Sequence, residues 1–436
     1  MRVRICRGTH DIGGSCVELQ SGDSRIIIDL GLPLAAKDDS RFDSSTLRLR
    51  TGAELVNSGI LPDIRGLYAW DTECRRIDAL FLSHAHIDHY GLVNFISPDV
   101  PVYSGEATRR LMELTTMFWP LGRVGGKPST FANGVPVYTG EFRVTPFLVD
   151  HSAFDAYAFL IEAEGKSVFY SGDFREHGRK PSALRAIVKA LSGKPVDVML
   201  LEGTTFGRPE EKILTEKELE DNLVRVIGSR NEICLVCSSG QNIDRLVTFY
   251  RAALRCDKIF VVDVYTAVVL DALRDFARIP YPSSQYSNLR VFFPYWLSRR
   301  LSGSGHVDVL YRYRGLKITR RELEEQQRRV LMLVRPSMIG DLRRINFTGG
   351  SFIYSMWLGY QKEPAMARLL NFAREQDLEY YYIHTSGHAP PQTLKKLVDT
   401  LRPKEVIPIH TFYPDEYQAL GVKVRCMNDG DIYWLN

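Results

Sequence analysis

The apolar positions of this chain come in short runs rather than long stripes. Residues 25–30 (RIIIDL), 77–82 (IDALFL), 167–170 (SVFY) and 196–201 (VDVMLL) are largely apolar and of strand length. Such runs predict buried strands. Glu164-Gly165-Lys166 predicts a hairpin turn between strands at 156–163 and 167–170. Beyond Thr205 the pattern changes. Thr215 and Glu218 form a capping box that opens a helix reaching residue 227 or so. A strand at 233–237, a helix near 242–254, a strand at 259–262 and a helix near 266–276 follow. Strands alternating with helices predict a parallel-sheet α/β module. From Glu379 the first pattern returns, with a strand at 380–383, a helix near 391–401 and a strand at 406–409. The expectation is a discontinuous first domain, 1–205 and 366–436, with a second domain, 206–365, inserted in it.

Length and composition change this picture little. The 436 residues leave room for two or three domains with sizeable cores. No run of 18 apolar residues exists, so no membrane partner is expected. The first residues, Met1 to Ile5, run straight into a strand and lack the apolar core of a secretory signal. Seven scattered cysteines, an odd number, argue against a disulfide framework. Both features point to a cytoplasmic protein. Cys234 and Cys237 are formally C-x-x-C, but they lie in an apolar strand pattern with no second pair and are expected to pack.

The candidate chemistry is concentrated in Ser83-His84-Ala85-His86-Ile87-Asp88-His89. Three of the ten histidines and one aspartate fall within six residues. Imidazole nitrogen and carboxylate oxygen are the donors zinc prefers where a reactive position stays open. The run follows the predicted strand at 77–82, and residues 90–96 suit the first turns of a helix. His84 and His86, two apart, can point the same way from an extended segment. Asp88 and His89 then turn toward a second position, so one loop can feed two adjacent metals.

This motif resembles the signature of the metallo-β-lactamase superfamily, whose αββα sandwich carries its metals at one edge. The resemblance implies a later His and a later Asp, each at a strand end. His151, in Leu148-Val149-Asp150-His151, and Asp173, in Ser171-Gly172-Asp173, match. Further segments resemble the metallo-β-CASP nucleases, the branch that includes the RNase J enzymes and carries an inserted β-CASP α/β domain built on a parallel sheet. Glu202 stands in Leu200-Leu201-Glu202-Gly203-Thr204-Thr205, His388 in His384-Thr385-Ser386-Gly387-His388, and His410 in Ile407-Pro408-Ile409-His410. Ser238 to Arg245, Val262 to Ala267 and Tyr354 to Tyr360 are also similar to β-CASP segments. The implied fold is an αββα sandwich with this insert.

The resemblance also implies roles. One metal would be held by His84, His86 and His151, and a second by Asp88, His89 and His410, with Asp173 bridging. The metals would be zinc, with manganese as the alternative. Asp88, His388 and Glu202 form the catalytic set: His388 would stabilise the phosphorane or protonate the leaving 3′ oxygen, and Glu202 would orient a histidine. His384 is read as structural. Ser239, Gln241 and Ser386 are candidates for a substrate phosphate, with Gln241 standing where RNase J has a serine. The C-terminal domain of RNase J has no counterpart here, which leaves homo-oligomerisation open.

A histidine at the position of His410 goes with RNA-directed members of the branch. Charge agrees: residues 290–344 hold 13 Arg and Lys against 5 Asp and Glu, whereas the whole chain is only +4. Phe292, Phe293, Tyr295, Trp296, Tyr311 and Tyr313 are interleaved with these charges. Basic side chains grip phosphates and rings stack on bases. The expected function is a metal-dependent ribonuclease that cuts single-stranded RNA phosphodiesters with a two-metal-activated water, in RNA processing or decay. Endonuclease and 5′-exonuclease action both stay open. The alternatives are a DNA nuclease of the same fold and a non-cleaving nucleic-acid-binding protein.

Overall fold

Alternation along the early strands decides the layering. In the computed structural model, which describes all residues except 36–41, 72–75, 119–122, 209–212, 230 and 436, successive side chains of these strands point to opposite faces. The first sheet takes β1 (Arg2–Arg7), β2 (Cys16–Ser21), β3 (Ser24–Ile28), β4 (Ala79–Phe81), β5 (Pro101–Ser104) and β6 (Lys127–Thr130) in order. The second takes β7 (Val137–Thr139), β8 (Phe142–Leu148), β9 (Tyr157–Ala163), β10 (Lys166–Tyr170) and β11 (Val198–Glu202). The inner faces interlock: Val3, Ile26, Ile28 and Phe81 pack with Phe159, Ile161, Tyr170 and Leu200. Ile27 and Leu80 point outward, against helix Glu106–Phe118 among others. Phe169, Met199 and Leu201 point outward on the other side, against helices Ala183–Leu191 and Pro391–Leu401. Helix, sheet, sheet, helix is the expected αββα sandwich.

The chain then leaves for a third sheet of β12 (Ile233–Cys237), β13 (Ile259–Asp263), β14 (Leu289–Phe292), β15 (Val330–Val334), β16 (Gly350–Tyr354) and β17 (Glu379–Tyr382). Its order is β14-β13-β15-β12-β16-β17, and every pairing is parallel. Both faces are covered by apolar clusters, which is why β12 and β15 are buried at every position. The chain finally returns. β18 (Glu405–Ile409) pairs in parallel with β11, and β19 (Ile432–Trp434) pairs with β1. The third sheet is thus inserted between two neighbouring strands of the second.

Two expectations are adjusted. The strand expected to resume the first domain, β17, is instead the edge of the inserted sheet, and helix Pro364–Glu375 packs on that sheet through Leu369 and Phe372. A helix at 90–96 does not form. A short helix, Ile87–Tyr90, lies inside the motif and a 3-10 turn, Val93–Phe95, follows. The Leu92 amide donates to Leu30 O (3.1 Å), which draws the chain out of helical pairing. Cys234 and Cys237, three apart on a strand, point to opposite faces and join different core clusters, so the pair is packing, as expected. Burial pushes the Cys237 thiol up to about 12. The hairpin turn is as expected, with Glu164 and Gly165 both at positive φ (52° and 70°), the geometry of a tight two-residue hairpin. Among the described residues no helix is long and apolar enough to cross a membrane.

Candidate metal centre

Strand direction gathers the chemistry at one edge. β10, β11 and β18 are mutually parallel, so Asp173, Glu202 and His410 leave the second sheet on the same side. β8 runs in the same sense and delivers His151. β4 of the first sheet delivers the Ser83–His89 run to the same place. The carbonyls of that run are pinned by amides of neighbouring loops: Asp88 O accepts from Ser15, His89 O from Leu30 and Ile87 O from Leu32, at 2.8–3.1 Å. Gly31 lies under it, where a Cβ would sit 1.6 Å from Asp88 O.

The expected residues converge in two groups, and Asp173 touches both. His84 Nε2 and His151 Nε2 each lie 3.1 Å from His86 Nδ1. Asp173 Oδ2 is 3.7 Å from His84 Nε2 and 4.0 Å from His151 Nε2. On the other side His410 Nε2 is 3.3 Å from Asp88 Oδ2, and His89 Nε2 is 3.2 Å from Asp173 Oδ2. The second oxygen of Asp173 lies 3.6 Å from His410 Nδ1. His84, His86, His151 and Asp173 form one candidate cation group, and Asp88, His89 and His410 form another. A third grouping joins Asp173, Glu202, His388 and His410.

The donors fit divalent cations. Nitrogens bonded to one tetrahedral zinc lie roughly 3.3 Å apart, close to the spacings in the first group. Burial drives the His84 and His151 imidazoles well below their ordinary pKa, and His86 down to about 4, so all three keep free lone pairs at neutral pH. Around Asp173 the balance reverses. Burial opposes charge there, but His410, His89 and His388 hold the Asp173 carboxyl well below the usual range. Asp173 and Asp29 in turn outweigh burial at His89 and raise it well above the ordinary value. This side of the site selects positive charge. Two of its buried atoms, His89 Nε2 and Asp173 Oδ1, have no hydrogen-bond partner among the described residues. An unpaired buried polar atom costs about 1–3 kcal/mol, and a bound cation removes that cost.

A supporting layer orients these groups, and sequence reasoning missed most of it. Asp29, at φ 59° just after β3, accepts from His89 Nδ1 (2.8 Å), Ser83 N and Oγ (2.7 Å each) and Tyr170 OH (2.7 Å). That bond turns His89 Nε2 toward the site. The signal was present: Asp29 is a charge inside an apolar run. Thr204 Oγ1 lies 2.8 Å from His410 Nδ1, and nothing in the sequence marks it. Glu202 is fully buried, with Oε2 3.3 Å from His388 Nδ1 and accepting from Thr204 N (3.0 Å). His388 keeps partial access to solvent and its ring lies 5.1 Å from that of His151.

Arg175 is the second missed residue. Its buried guanidinium reaches Asp150 Oδ1 (3.1 Å), Asp244 Oδ2 (2.7 Å) and Ser386 O (3.0 Å). Arg245, from the inserted segment, reaches Glu216 (3.2 Å) and Thr385 O (3.1 Å). His177 Nε2 donates to Ser386 O (2.8 Å) and His151 Nδ1 to Gly387 O (2.7 Å). The loop carrying His388 is therefore held by side chains of both parts of the molecule. His384 lies outside the three cation groups, half-buried beside Arg245 and driven down to about 3, chiefly by desolvation. Of the phosphate candidates, Ser386 joins the His388 loop, its Oγ accepting from His388 N (3.1 Å). Gln241 is spent on Tyr265 OH (2.7 Å) and Thr115 Oγ1 (2.9 Å), and the exposed Ser239 accepts from its amide (3.2 Å).

The Beta-lactamase superfamily domain matches residues 61–221, which carry both halves of the histidine cluster up to Glu202. The Zn-dependent metallo-hydrolase RNA specificity domain matches residues 378–420, which carry His388 and His410. The chain thus carries a metallo-β-lactamase superfamily domain. It is similar to Ribonuclease J of Mycobacterium tuberculosis (strain ATCC 25618 / H37Rv), 24% identical over 422 residues, which are 94% of this chain and 68% of that protein. It is 19% identical over 453 residues to Ribonuclease J of Helicobacter pylori (strain ATCC 700392 / 26695), covering 99% of this chain and 60% of that one. Transcription termination factor FttA of Methanocaldococcus jannaschii is 23% identical over 255 residues, 53% of this chain and 36% of its own length. These relatives are members of the β-CASP branch. The chain spans about two thirds or less of their length. A solved protein of unknown function from Enterococcus faecalis V583 shares the fold over the whole chain, with a TM-score of 0.81 and 22% identity.

Proposed function

We propose that this protein is a metal-dependent ribonuclease that hydrolyses RNA phosphodiester bonds, with a role in RNA processing or decay. The carrying observation is Asp173, whose carboxylate faces two donor groups at once. His84, His86 and His151 would hold one cation, and Asp88, His89 and His410 the second. Bound divalent cations, zinc or manganese, would supply an activated water and neutralise charge on the phosphodiester. The relatives named Ribonuclease J and the RNA specificity domain over 378–420 support RNA as the substrate.

The remaining chemistry belongs to the chain itself. His388 is the part-exposed imidazole over the cluster, so it can meet substrate while its Nδ1 faces Glu202 (3.3 Å). Glu202 then accepts from Nδ1 and leaves Nε2 to give its proton to the departing 3′ oxygen. Ser386, fixed beside His388, would donate to a phosphate oxygen, and the exposed Ser239 would serve a phosphate further along the strand.

The test is cleavage of matched single-stranded RNA and DNA oligonucleotides, labelled at each end, with zinc or manganese and after chelation. Cleavage of RNA that stops on chelation and in His388→Ala is expected. A clear preference for DNA, or full activity in the doubly substituted Asp88→Ala, His388→Ala protein, overturns the reading. The end labels also separate internal cutting from 5′ trimming.

A further inference from the structure

The inserted sheet carries a second concavity, apart from the histidine cluster. It is a cleft of about 680 Å³ beyond the carboxyl end of β14, between helix Tyr295–Gly303 and the segments that follow it. Two rings on its wall are left largely in water: Tyr295 is 60% exposed and Tyr311 63%. A third, Phe293, carries the Lys317 ammonium 5.3 Å from its centroid. Tyrosine rings held out at a concave wall offer flat faces to a flat ligand.

The charges around these rings are unspent. Arg314, Arg320 and Arg344 line the cleft, and none makes an ion pair or side-chain hydrogen bond with a described residue. Elsewhere on this surface arginines are mostly engaged, as Arg321 is with Glu325 (2.7 Å) and Arg343 with Glu375 (3.0 Å). The cleft has one carboxylate, Asp341. Both of its oxygens lie 3.2 Å from Tyr295 N, so it caps the helix and its charge faces the helix N-terminus. Free guanidinium groups beside exposed rings match one kind of ligand, a base carried on a phosphate backbone.

Topology sets the distance from the cutting site. β14 is one edge of the inserted sheet and β17, which leads into the His388 loop, is the other. Five inter-strand spacings separate them, about 24 Å. Both lie toward the carboxyl-end rim of the sheet, which also supplies Arg245 and Gln241 to the other domain. Helix Tyr295–Gly303 itself packs against helix Glu106–Phe118 of that domain.

We infer that this cleft is a nucleotide-binding anchor for single-stranded RNA, gripping the strand several nucleotides from the bond being cut; this rests on the ribonuclease reading. It gives long substrates an additional hold and leaves short ones unaffected. The test uses the full chain carrying Tyr311→Ala and Arg314→Glu, both on the surface. The concentration of a long single-stranded RNA needed for half-maximal cleavage is expected to rise roughly tenfold, the loss of one stacked base. Cleavage of an oligonucleotide too short to span the gap is expected to stay unchanged. Equal effects on both lengths, or none on the long one, overturn the inference. Photocrosslinking of thiouridine-containing RNA to the unsubstituted protein is an independent measurement. Adducts at Tyr295 or Tyr311 support the anchor and their absence overturns it. If the protein cuts no RNA of any length, the ribonuclease reading fails, and the crosslink still judges the cleft.

Discussion

Two buried charged regions lie side by side in this molecule, and they are built on opposite plans. Around Arg175 every charge is answered: the guanidinium meets Asp150, Asp244 and a backbone carbonyl, and Arg245 meets Glu216. Around Asp173, two residues away, charges converge without closing. His89 Nε2 and Asp173 Oδ1 are left unpartnered, and three neutral imidazoles point nitrogen at nitrogen. Burial is the same in both regions, so burial alone does not mark a functional site. What marks it is an unfinished set of donors. The closed region is structural and holds the His388 loop; the open one offers its donors to cations.

Four substitutions press on this contrast, in decreasing order of expected effect. Asp173→Asn removes the shared carboxylate of both groups. Turnover should fall by at least about 10²-fold, the scale for losing one preorganised charge contact in a reaction centre. Elemental analysis should show less bound metal; unchanged metal content would deny Asp173 its bridging place. Arg175→Met should act on stability instead. It strands Asp150 and Asp244 in the interior, and breaking a buried pair from one side costs about 3–5 kcal/mol. Thermal melting should drop markedly, and adding Asp244→Asn should restore part of the loss. No drop would mean that the closed region is not what holds the two domains' loops together.

The third prediction concerns acid. Burial, helped by the Arg175 charge, pushes His177 down to about 4, below its ordinary 6.5. Its contribution is complete above pH 6.5 and is lost as pH falls toward 4, because the unfolded chain takes the proton first. At Glu216 the charges of Arg245 and Arg175 outweigh burial and hold the carboxyl at about 2, below 4.5. That contribution is lost later, between pH 4.5 and 2. Stability should therefore fall in two stages on acidification, and His177 contributes roughly 3 kcal/mol at most to the upper one, beside the other depressed imidazoles. His177→Gln should shrink the upper stage; denaturant midpoints measured across pH 7 to 4 decide it. The smallest effect is expected from Glu202→Gln. Metal content should hold while turnover falls about 10–100-fold and its pH profile shifts, as for other groups that orient a reacting side chain. An unshifted profile would reduce Glu202 to a packing role.

The sequence carried the open region better than the closed one. Its ligands cluster locally or stand at strand ends in a recurring order, so His84 through His410 were legible with no structure. Asp29 was half legible, as a charge interrupting an apolar strand. Arg175 was not, because its partners come from three distant segments and nothing local distinguishes a buried arginine from a surface one. The sandwich was legible through the resemblance that the histidine motif carries, and its strands through their apolar runs. The edge strand β17 was assigned to the wrong sheet, since a short apolar strand looks the same whichever sheet it joins. The helix expected at 90–96 failed for a related reason: the carbonyl of Leu30, far off in sequence, claimed the Leu92 amide.

The insertion between β11 and β18 has a consequence in time. Thr204 and His410 touch across 206 residues, so the support for one candidate ligand is synthesised long before the ligand itself. A growing chain on the ribosome completes the three-imidazole group once His151 emerges. It cannot complete the group of Asp88 and His89 until the whole inserted sheet and β18 have been made. Contacts of such sequence separation also form slowly, because the intervening loop must be closed before they repay it. The proposed ribonuclease would thus be translated from its own message without a finished blade.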